Sequence, residues 1–398
     1  MNDHILAQAV ALAGTSCYVF DIDVLKKRVA FLRAHLPKSI LLCYAVKANP
    51  FLAAEIAPLT DRLEICSPGE LDICCRLGCD PDRYVISGVY KAPDVIKGRF
   101  LRGGSETYTV ESLSQYSLLK ELALTAQKPM RLLLRLTSGN QFGLSKPDLE
   151  AVLTDALAQP LLDVCGLQFY SGTQKTSAKR LAKELAELDA YLNELKDRYA
   201  YEAEELEYGP GLPASYFQGD CFDEEAHLLA LSQALDAMRF SGKIILELGR
   251  GVAADCGWYL TRVVDDKTID GQRFAITDGG VHQLTYYGQI MAMKHPYVRL
   301  LTPHPGAKEE EWTVFGSLCT VNDILVKRIP LAGLAIGDVL VFERAGAYCV
   351  TEGMSLFLSR DLPAVVLHSK GMLRLARKNT PTDGLNTPVC APFSVDQE

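Results

Sequence analysis

A lysine at the end of an apolar run is the first residue in this sequence whose type and position could support chemistry. Lys47 lies near the end of ILLCYAVKA (residues 40–48) and is followed by Asn49-Pro50. At the mouth of a barrel, burial would lower the pKa of the amine, and a neutral amine can form a Schiff base with a carbonyl. Taken alone the pattern proves little, because a lysine at a strand end is more often a solvated cap.

Two further segments combine glycine with groups that bind anions or rings. YGPGL (208–212) closes another apolar run, and its missing side chains would let backbone N–H groups approach a phosphate. A plain turn explains that segment about as well. ELGR (247–250) closes a third run, where the carboxylate could keep a ring nitrogen protonated and the guanidinium could hold an anion. An ordinary ion pair is the simpler explanation for that acid and base.

These three segments belong to a series of eight short apolar runs that alternate with longer amphipathic stretches. The runs are residues 40–48, 63–66, 84–88, 108–110, 131–136, 164–170, 205–209 and 243–249. The alternation predicts repeated βα units, and eight of them predict an α/β fold of the TIM type, a closed parallel (β/α)8 barrel. In such barrels the catalytic groups lie at the carboxyl ends of the strands, which is where the three segments fall.

The pattern changes after about residue 256 to β-rich runs broken by Gly, Asp and Pro. This predicts a second, antiparallel β-domain. The early run CYVFD (17–21) is also strand-like and precedes the first barrel helix, so it can pair with that sheet. The predicted domains are therefore a barrel over 23–250 and a β-domain built from 1–22 and 251–398.

Composition limits the classes of function. With 398 residues, 48% hydrophobic, 23% charged and a net charge of −8, the chain is globular and offers no basic surface for nucleic acid. No apolar run is long enough to span a membrane, and no export signal is evident, so we expect neither membrane association nor export. The twelve cysteines form no C-x-x-C pair, which argues against a metal site and favours a reducing cytoplasm.

Several motifs together resemble one family. YAVKAN (44–49) closely resembles the cofactor-lysine motif of diaminopimelate decarboxylases and their ornithine and arginine decarboxylase relatives. SPGE (67–70), GLQFYSGTQ (166–174), ELGR (247–250), DGG (278–280), GSLC (316–319) and GAY (346–348) follow in the order of that family. The agreement covers nearly the whole chain. The chain therefore resembles the fold-type III decarboxylases that use pyridoxal 5′-phosphate (PLP).

The resemblance implies a role for each matching position. Lys47 would form the Schiff base with PLP, Tyr170 would pack its ring against the cofactor, and Glu247 would bind the pyridine nitrogen. The positions that match the phosphate site are Thr173, Gly209, Gly211, Gly249, Arg250 and Tyr348. The family works as a head-to-tail homodimer with shared active sites, in which Cys319 would reach toward the substrate. Either Cys319 or Lys47 could return the proton after decarboxylation.

Three positions depart from diaminopimelate decarboxylases. Tyr170 replaces a histidine, Tyr286 stands about where an arginine would bind the distal carboxylate, and Thr320 replaces an acidic residue that would meet the distal ammonium. The sequence therefore loses the specific reason to expect diaminopimelate. Its Gly-Gly-x-His and FYSGTQ patterns look instead like decarboxylases of siderophore and aminoglycoside pathways, which act on conjugated amino acids. His282 is a candidate contact to such a substrate, although a structural histidine explains it equally well.

The sequence predicts PLP-dependent decarboxylation of an amino acid or an amino-acid conjugate, that is, a small-molecule substrate. Diaminopimelate decarboxylation for lysine biosynthesis is one alternative. A racemase of the same fold is another, but racemases place an arginine at the pyridine nitrogen, whereas this chain has Glu247. A PLP-binding regulator without activity is the non-enzymatic alternative, and the presence of Lys47, Glu247 and Cys319 argues against it.

Overall fold

The structure, a computed structural model, describes residues 1–388, and this part of the chain forms 17 strands and 11 α-helices. The strands are β1 (Cys17–Asp21), β2 (Leu41–Ala45), β3 (Arg62–Ile65), β4 (Tyr84–Ile86), β5 (Thr107–Val110), β6 (Met130–Leu136), β7 (Leu162–Tyr170), β8 (Glu205–Gly209), β9 (Lys243–Leu248), β10 (Gly257–Ile269), β11 (Gln272–Thr277), β12 (Val298–Leu300), β13 (Glu309–Phe315), β14 (Ile324–Ala332), β15 (Val339–Phe342), β16 (Ala364–Ser369) and β17 (Met372–Arg377). The helices are α1 (Asp3–Ala13), α2 (Ile22–His35), α3 (Ala53–Ile56), α4 (Pro68–Arg76), α5 (Pro93–Arg102), α6 (Leu113–Ala126), α7 (Lys146–Leu157), α8 (Ala178–Tyr199), α9 (Glu224–Asp236), α10 (Arg250–Ala253) and α11 (Asp383–Asn386).

Strands β2 to β9 form a closed parallel barrel, which confirms the predicted fold class. Each of the eight predicted apolar runs coincides with one strand, and β9 returns to pair with β2. The strands read as apolar runs because parallel barrel strands are covered on both faces. Residues Leu132, Leu133 and Leu134 of β6, for example, have no exposed surface.

Serine side chains start several of the barrel helices. Ser67, Ser112, Ser145 and Ser177 each accept a hydrogen bond from a backbone N–H in the first turn of α4, α6, α7 and α8. Such caps satisfy donors that have no partner inside the helix. These four helices therefore begin at fixed positions after the barrel strands that precede them, namely β3, β5, β6 and β7.

A sheet of nine strands forms the core of the second unit. Its order is β14-β13-β11-β10-β1-β16-β17, with β15 pairing with both β10 and β12. β1 lies between β10 and β16, as predicted for residues 17–21. The sheet is mostly antiparallel, as predicted, and within it the β1–β16 and β11–β13 pairs are parallel. β12 and β17 are additional strands that the sequence did not predict.

The chain divides into two compact units, each of which is built from more than one segment of the chain. The barrel unit comprises Ile22–Ser215 and Asp220–Asp255, and the sheet unit comprises Met1–Asp21, Tyr216–Gly219 and the chain from Cys256 onward. The predicted β-domain extended to residue 398, of which residues 389–398 lie outside the described part. No helix within residues 1–388 combines the length and the apolar character needed to cross a membrane.

Candidate active site

Lys47 lies in a turn rather than in the strand that precedes it. The predicted run 40–48 ends as a strand at Ala45, and residues Val46–Ala48 form one 3-10 turn. Asn49 is extended, with φ −165°, and its side chain accepts a hydrogen bond from the N–H of Phe51. A residue before proline is disfavoured in the helical region, so Asn49-Pro50 ends this turn and starts the next one. The turn places the Lys47 amine at the carboxyl end of β2.

The Lys47 amine is surrounded by acidic and thiol groups from other barrel strands. It forms an ion pair with Glu64 of β3, lies 3.4 Å from the sulfur of Cys66, and lies 3.7 Å from Oε1 of Glu247 in β9. The three strands are neighbours because β2 pairs with β3 on one side and with β9 on the other. The structure thus brings together Lys47 and Glu247, two residues singled out from the sequence.

The two carboxyl groups beside Lys47 have opposite tendencies to ionise. Burial opposes the ionisation of Glu64, but the charge and hydrogen bond of Lys47 outweigh it and lower the pKa of this carboxyl. For Glu247, burial and the nearby Glu64 carboxylate dominate and raise its pKa to about 8. Two carboxyl groups this close do not both carry a charge easily. Lys47 is therefore paired with Glu64, and Glu247 is the acid that retains a proton.

A buried amide joins Glu247 to a third carboxyl group. Nε2 of Gln168 in β7 lies 3.1 Å from Oε1 of Glu207 in β8 and 3.1 Å from Oε2 of Glu247. Gln168 is 1% exposed and Glu207 has no exposed surface. Burial raises the pKa of Glu207 to about 7, although Arg62 acts in the opposite direction. One side chain therefore donates to two carboxyl groups that would otherwise repel each other.

Two glycine-containing loops come close together beside this cluster. A Cβ atom on Gly209 would lie 2.4 Å from the ring of Tyr170, and one on Gly211 would lie 2.2 Å from the carbonyl oxygen of Gly172. Gly211 also has φ +61°, a conformation that side chains disfavour. Nε of Arg250 donates to the hydroxyl of Thr173 at 3.2 Å. We call residues 170–173, 209–211 and Arg250 the cradle.

The cradle is held from behind by a buried ion pair. Nζ of Lys175 lies 2.7 Å from Glu184 of α8, 3.0 Å from the hydroxyl of Ser171, and 3.3 Å from the carbonyl oxygen of Gly209. Its backbone N–H donates to the carbonyl of Gly211. Lys175 therefore connects both loops to one helix. Gly249, which was also predicted to contact the cofactor, is the residue before α10, and Arg250 is the first residue of that helix.

The remaining predicted residues belong to the sheet unit. Cys319 is exposed, Thr320 is half-buried, and Tyr348 is half-buried with φ +65°. His282 and Tyr286 are 2% and 4% exposed. The hydroxyl of Tyr286 donates to the carbonyl of Glu343 at 2.6 Å, so this side chain is part of the core of its unit. Burial lowers the pKa of His282 to about 4, which keeps its ring neutral.

Sequence reasoning missed Glu64, Gln168 and Glu207. All three are single polar residues within otherwise apolar strand segments: Leu63-Glu64-Ile65, Leu167-Gln168-Phe169 and Leu206-Glu207-Tyr208. Charged residues are almost never buried without a partner, so a polar residue in the middle of a buried strand is itself a signal of a site. Cys66, one residue beyond β3, gave no comparable signal.

This arrangement fits pyridoxal 5′-phosphate. The amine of Lys47 and the carboxyl of Glu247 could hold the aldehyde end and the ring nitrogen. The cradle has the close backbone, hydroxyl and guanidinium groups that bind a phosphate, and a side chain at either glycine would fill it. A closed barrel with these groups, carried with a mostly antiparallel sheet unit, defines the class of barrel enzymes that depend on this cofactor.

Comparison with known proteins identifies the family. Residues 17–346 match the family described as pyridoxal-dependent decarboxylase, C-terminal sheet domain, and the chain belongs to this family. It is therefore a PLP-dependent carboxy-lyase, as the motifs predicted.

Similar sequences extend over most of the chain. A 2-[(L-alanin-3-ylcarbamoyl)methyl]-2-hydroxybutanedioate decarboxylase from Staphylococcus aureus is 25% identical over 91% of this chain and 96% of its own length. An L-glutamyl-[BtrI acyl-carrier protein] decarboxylase from Niallia circulans is 24% identical, with 93% and 92% covered. A diaminopimelate decarboxylase from Pseudomonas aeruginosa is 29% identical, with 86% and 87% covered. The crystal structure of a diaminopimelate decarboxylase from M. jannaschii with L-lysine has the same fold, with a TM-score of 0.84, 22% identity, and 97% of this chain and 94% of that chain covered.

Proposed function

We propose that this chain decarboxylates an amino acid that is carried as a conjugate, such as an amide of a polycarboxylic acid or an amino acid linked to a carrier. The observation that carries the proposal is the lack of charge at the two positions where diaminopimelate decarboxylases bind the far end of their substrate. Tyr286 is buried in an aromatic cluster with Tyr216 and Phe217, and its hydroxyl donates a hydrogen bond to a backbone carbonyl. Thr320 carries no charge, so it cannot hold a distal ammonium as a carboxylate would.

The substrates stated in the names of two relatives support the proposal. The Staphylococcus aureus protein acts on a hydroxybutanedioate that carries an L-alanin-3-ylcarbamoyl group, and the Niallia circulans protein acts on glutamyl attached to an acyl-carrier protein. Both substrates are conjugated amino acids. Diaminopimelate is the second candidate, because several relatives of similar identity are diaminopimelate decarboxylases.

The proposed roles follow from the contacts in the barrel. Lys47 binds the cofactor covalently, Glu247 holds its ring nitrogen, the ring of Tyr170 packs beside it, and the cradle binds its phosphate. The bound cofactor supplies an electron sink for the charge left after carbon dioxide departs. Glu64 pairs with the Lys47 amine when that amine is protonated, and so keeps this proton at the carboxyl end of β2. Lys47 or Cys319 then returns a proton to the substrate carbon.

We further propose a homodimer with shared active sites, located in the cytoplasm. Large exposed apolar side chains in the sheet unit support a dimer, namely Ile290, Met293, Met354 and Phe357, which are 44–74% exposed. The cytoplasmic location is supported by the many buried thiols, which a reducing compartment preserves. Light scattering coupled to gel filtration should give twice the mass of the chain.

Carbon dioxide release from a panel of substrates tests the function. The PLP-loaded protein is given diaminopimelate, lysine, ornithine, arginine, citryl-conjugated diamino acids and carrier-linked glutamate, with Lys47→Ala as the inactive control. We expect turnover of a conjugate with kcat/KM at least about tenfold above that of any free diamino acid, since a site without partners for the distal charges of a free diamino acid leaves those charges unpaired. Preferred turnover of diaminopimelate would contradict the proposal.

A pair of variants tests the role of position 320 directly. If the conjugate brings a negative charge to this position, Thr320→Asp should lower kcat/KM for a citryl conjugate about tenfold through like-charge repulsion, a cost of about 1.4 kcal/mol. Thr320→Asn, which has a similar size and no charge, should leave it within about twofold. Equal effects of the two variants would show that position 320 does not meet the substrate charge.

A further inference from the structure

Three carboxyl groups that are almost completely buried lie together inside the barrel, and the family roles account for only one of them. Glu64 is 2% exposed, Glu207 has no exposed surface, and the side chain of Glu247 is 9% exposed. They lie on β3, β8 and β9. Three negative charges at this depth would be very costly, so at least one proton must be present.

The distances from Lys47 indicate which carboxyl group holds the proton. The Lys47 amine is in direct contact with Glu64, but it lies 3.7 Å from Oε1 of Glu247. The ammonium therefore neutralises Glu64 more effectively, and Glu64 is the ionised member. Glu247 holds the proton. The pKa values agree, since that of Glu64 is lowered and that of Glu247 is raised to about 8.

The cations nearest to Glu247 each make a closer contact with another acid. Lys47 pairs with Glu64, Arg135 donates to Glu111 at 2.9 Å, and the guanidinium of Arg62 binds Glu205 at 2.7 and 2.8 Å while lying 3.5 Å from Glu207. The titratable and charged groups that face Glu247 from the surrounding strands and turns are Cys43, Lys47, Glu64, Cys66, Arg135, Tyr170 and Glu207. Among them the cations are Lys47 and Arg135, and each is in closer contact with another carboxylate than with Glu247.

We propose that Glu64 and Glu207 hold Glu247 protonated in the cofactor-free protein, and that this proton is released when a pyridine ring carrying its own N–H binds. Glu207 and Gln168 are positioning residues in this arrangement. Gln168 fixes the carboxyl of Glu247 and places the charge of Glu207 behind it. Loading of the cofactor is thereby linked to pH, because a proton must leave Glu247 before it can accept the ring N–H.

The linkage has a definite sign. Below the pKa of Glu247, binding releases close to one proton, and the affinity rises up to about tenfold per pH unit. Above that pKa the carboxyl is already ionised, so the release falls to zero and the affinity levels off. Replacing Glu207 by an uncharged residue lowers the pKa of Glu247 and moves this transition to lower pH. Removing the donor Gln168 leaves the two carboxyl groups unscreened from each other and moves it to higher pH.

Proton release on binding of deoxypyridoxine 5′-phosphate tests the proposal without reference to activity or substrate. This analogue has the ring and phosphate of PLP but no aldehyde, so it does not react with Lys47. Isothermal titration calorimetry in two buffers of different ionisation enthalpy, from pH 6.5 to 9, gives the number of protons released. The variants are Glu207→Gln and Gln168→Leu. The control is Glu106→Gln, another buried glutamate of the barrel unit, paired with Arg99.

We expect the wild type and Glu106→Gln to release about one proton at pH 7 and almost none at pH 9. The midpoint should fall by about one pH unit in Glu207→Gln and rise in Gln168→Leu. Opposite shifts in two variants cannot come from a general loss of structure. Should Glu207→Gln fail to fold, the upward shift in Gln168→Leu still tests the idea. The absence of proton release from the wild type at pH 7, or superimposable curves for the variants that fold, would overturn it. The substrate panel can fail independently, because it does not depend on this proton.

Discussion

The buried ion pair behind the cradle should contribute both to stability and to cofactor binding. Lys175→Met removes the ammonium that bonds to Glu184, Ser171 and the carbonyl of Gly209, and leaves a methionine of similar length. Breaking a buried ion pair by removing one partner costs about 3–5 kcal/mol. Glu184 keeps hydrogen bonds from Ser171, Tyr208 and Arg180, so the cost should lie at the low end, about 3 kcal/mol.

Thermal unfolding followed by circular dichroism gives the first measurement for this variant. A loss of 3 kcal/mol corresponds to a fall in Tm of about 6–12 °C for a domain of this size. Fluorescence titration with PLP gives the second, and we expect about tenfold weaker binding because both loops lose their common anchor. Lys183→Met is the matched control, since this exposed lysine of α8 lies 3.7 Å from the exposed Glu187 and should change Tm by less than about 2 °C. The reasoning is refuted if Lys175→Met is as stable as Lys183→Met and binds PLP with wild-type affinity.

Four further outcomes are expected. Lys47→Ala should abolish both the absorbance of covalently bound PLP and carbon dioxide release, and retention of either would exclude it as the cofactor lysine. Gly211→Ala should weaken PLP binding at least about tenfold, because the residue has φ +61° and its Cβ would lie 2.2 Å from the carbonyl oxygen of Gly172; unchanged affinity by fluorescence titration would contradict this. Cys319→Ala should lower kcat about a hundredfold in steady-state assays if its thiol returns the proton, and an unchanged kcat would assign that step to Lys47. Burial lowers the pKa of Lys91 to about 8, so between pH 8 and 10 the unfolded state binds more protons than the folded state. The free energy of unfolding of the wild type, measured with urea, should therefore rise by up to about 3 kcal/mol over this window relative to that of Lys91→Met. Parallel pH profiles of the two proteins would refute the shift.

The barrel was predictable from the sequence, whereas parts of the sheet unit were not. Barrel strands such as Leu41–Ala45 are apolar on both faces, so an unbroken apolar run reveals them even in a single sequence. β17 (MLRLAR) combines largely exposed apolar residues with two arginines, and Met372 is 70% exposed, so no buried hydrophobic run marks it. β12 has three residues and becomes a strand only by pairing with β15. Its existence depends on a partner about forty residues away in the chain, which local patterns do not encode.

The residues of the candidate site that belong to local sequence motifs could be predicted. Lys47, Glu247 and the glycines of the cradle each lie at the end of a strand, where the fold class says that such residues act. Glu64 and Glu247 are far apart in sequence, and both lie beside the Lys47 amine because barrel closure puts β3 and β9 on either side of β2. The hydrogen bonds of Gln168 likewise require the registers of three strands. Such contacts follow from closure geometry rather than from any one segment.

The position of β1 between β10 and β16 has a consequence for synthesis of the chain. Translation proceeds at roughly 5–20 residues per second, so Cys17–Asp21 leaves the ribosome about 10–50 s before Gly257–Ile269, with which it pairs. The segment between the two contains every barrel strand, so by the end of this interval the barrel strands are complete and can fold. The newborn chain therefore carries an apolar strand with two unpaired edges, a species open to pairing with another nascent chain. We therefore expect nascent chains to aggregate during overproduction. Slower elongation should increase this aggregation because it prolongs the interval, and a holding chaperone should relieve it.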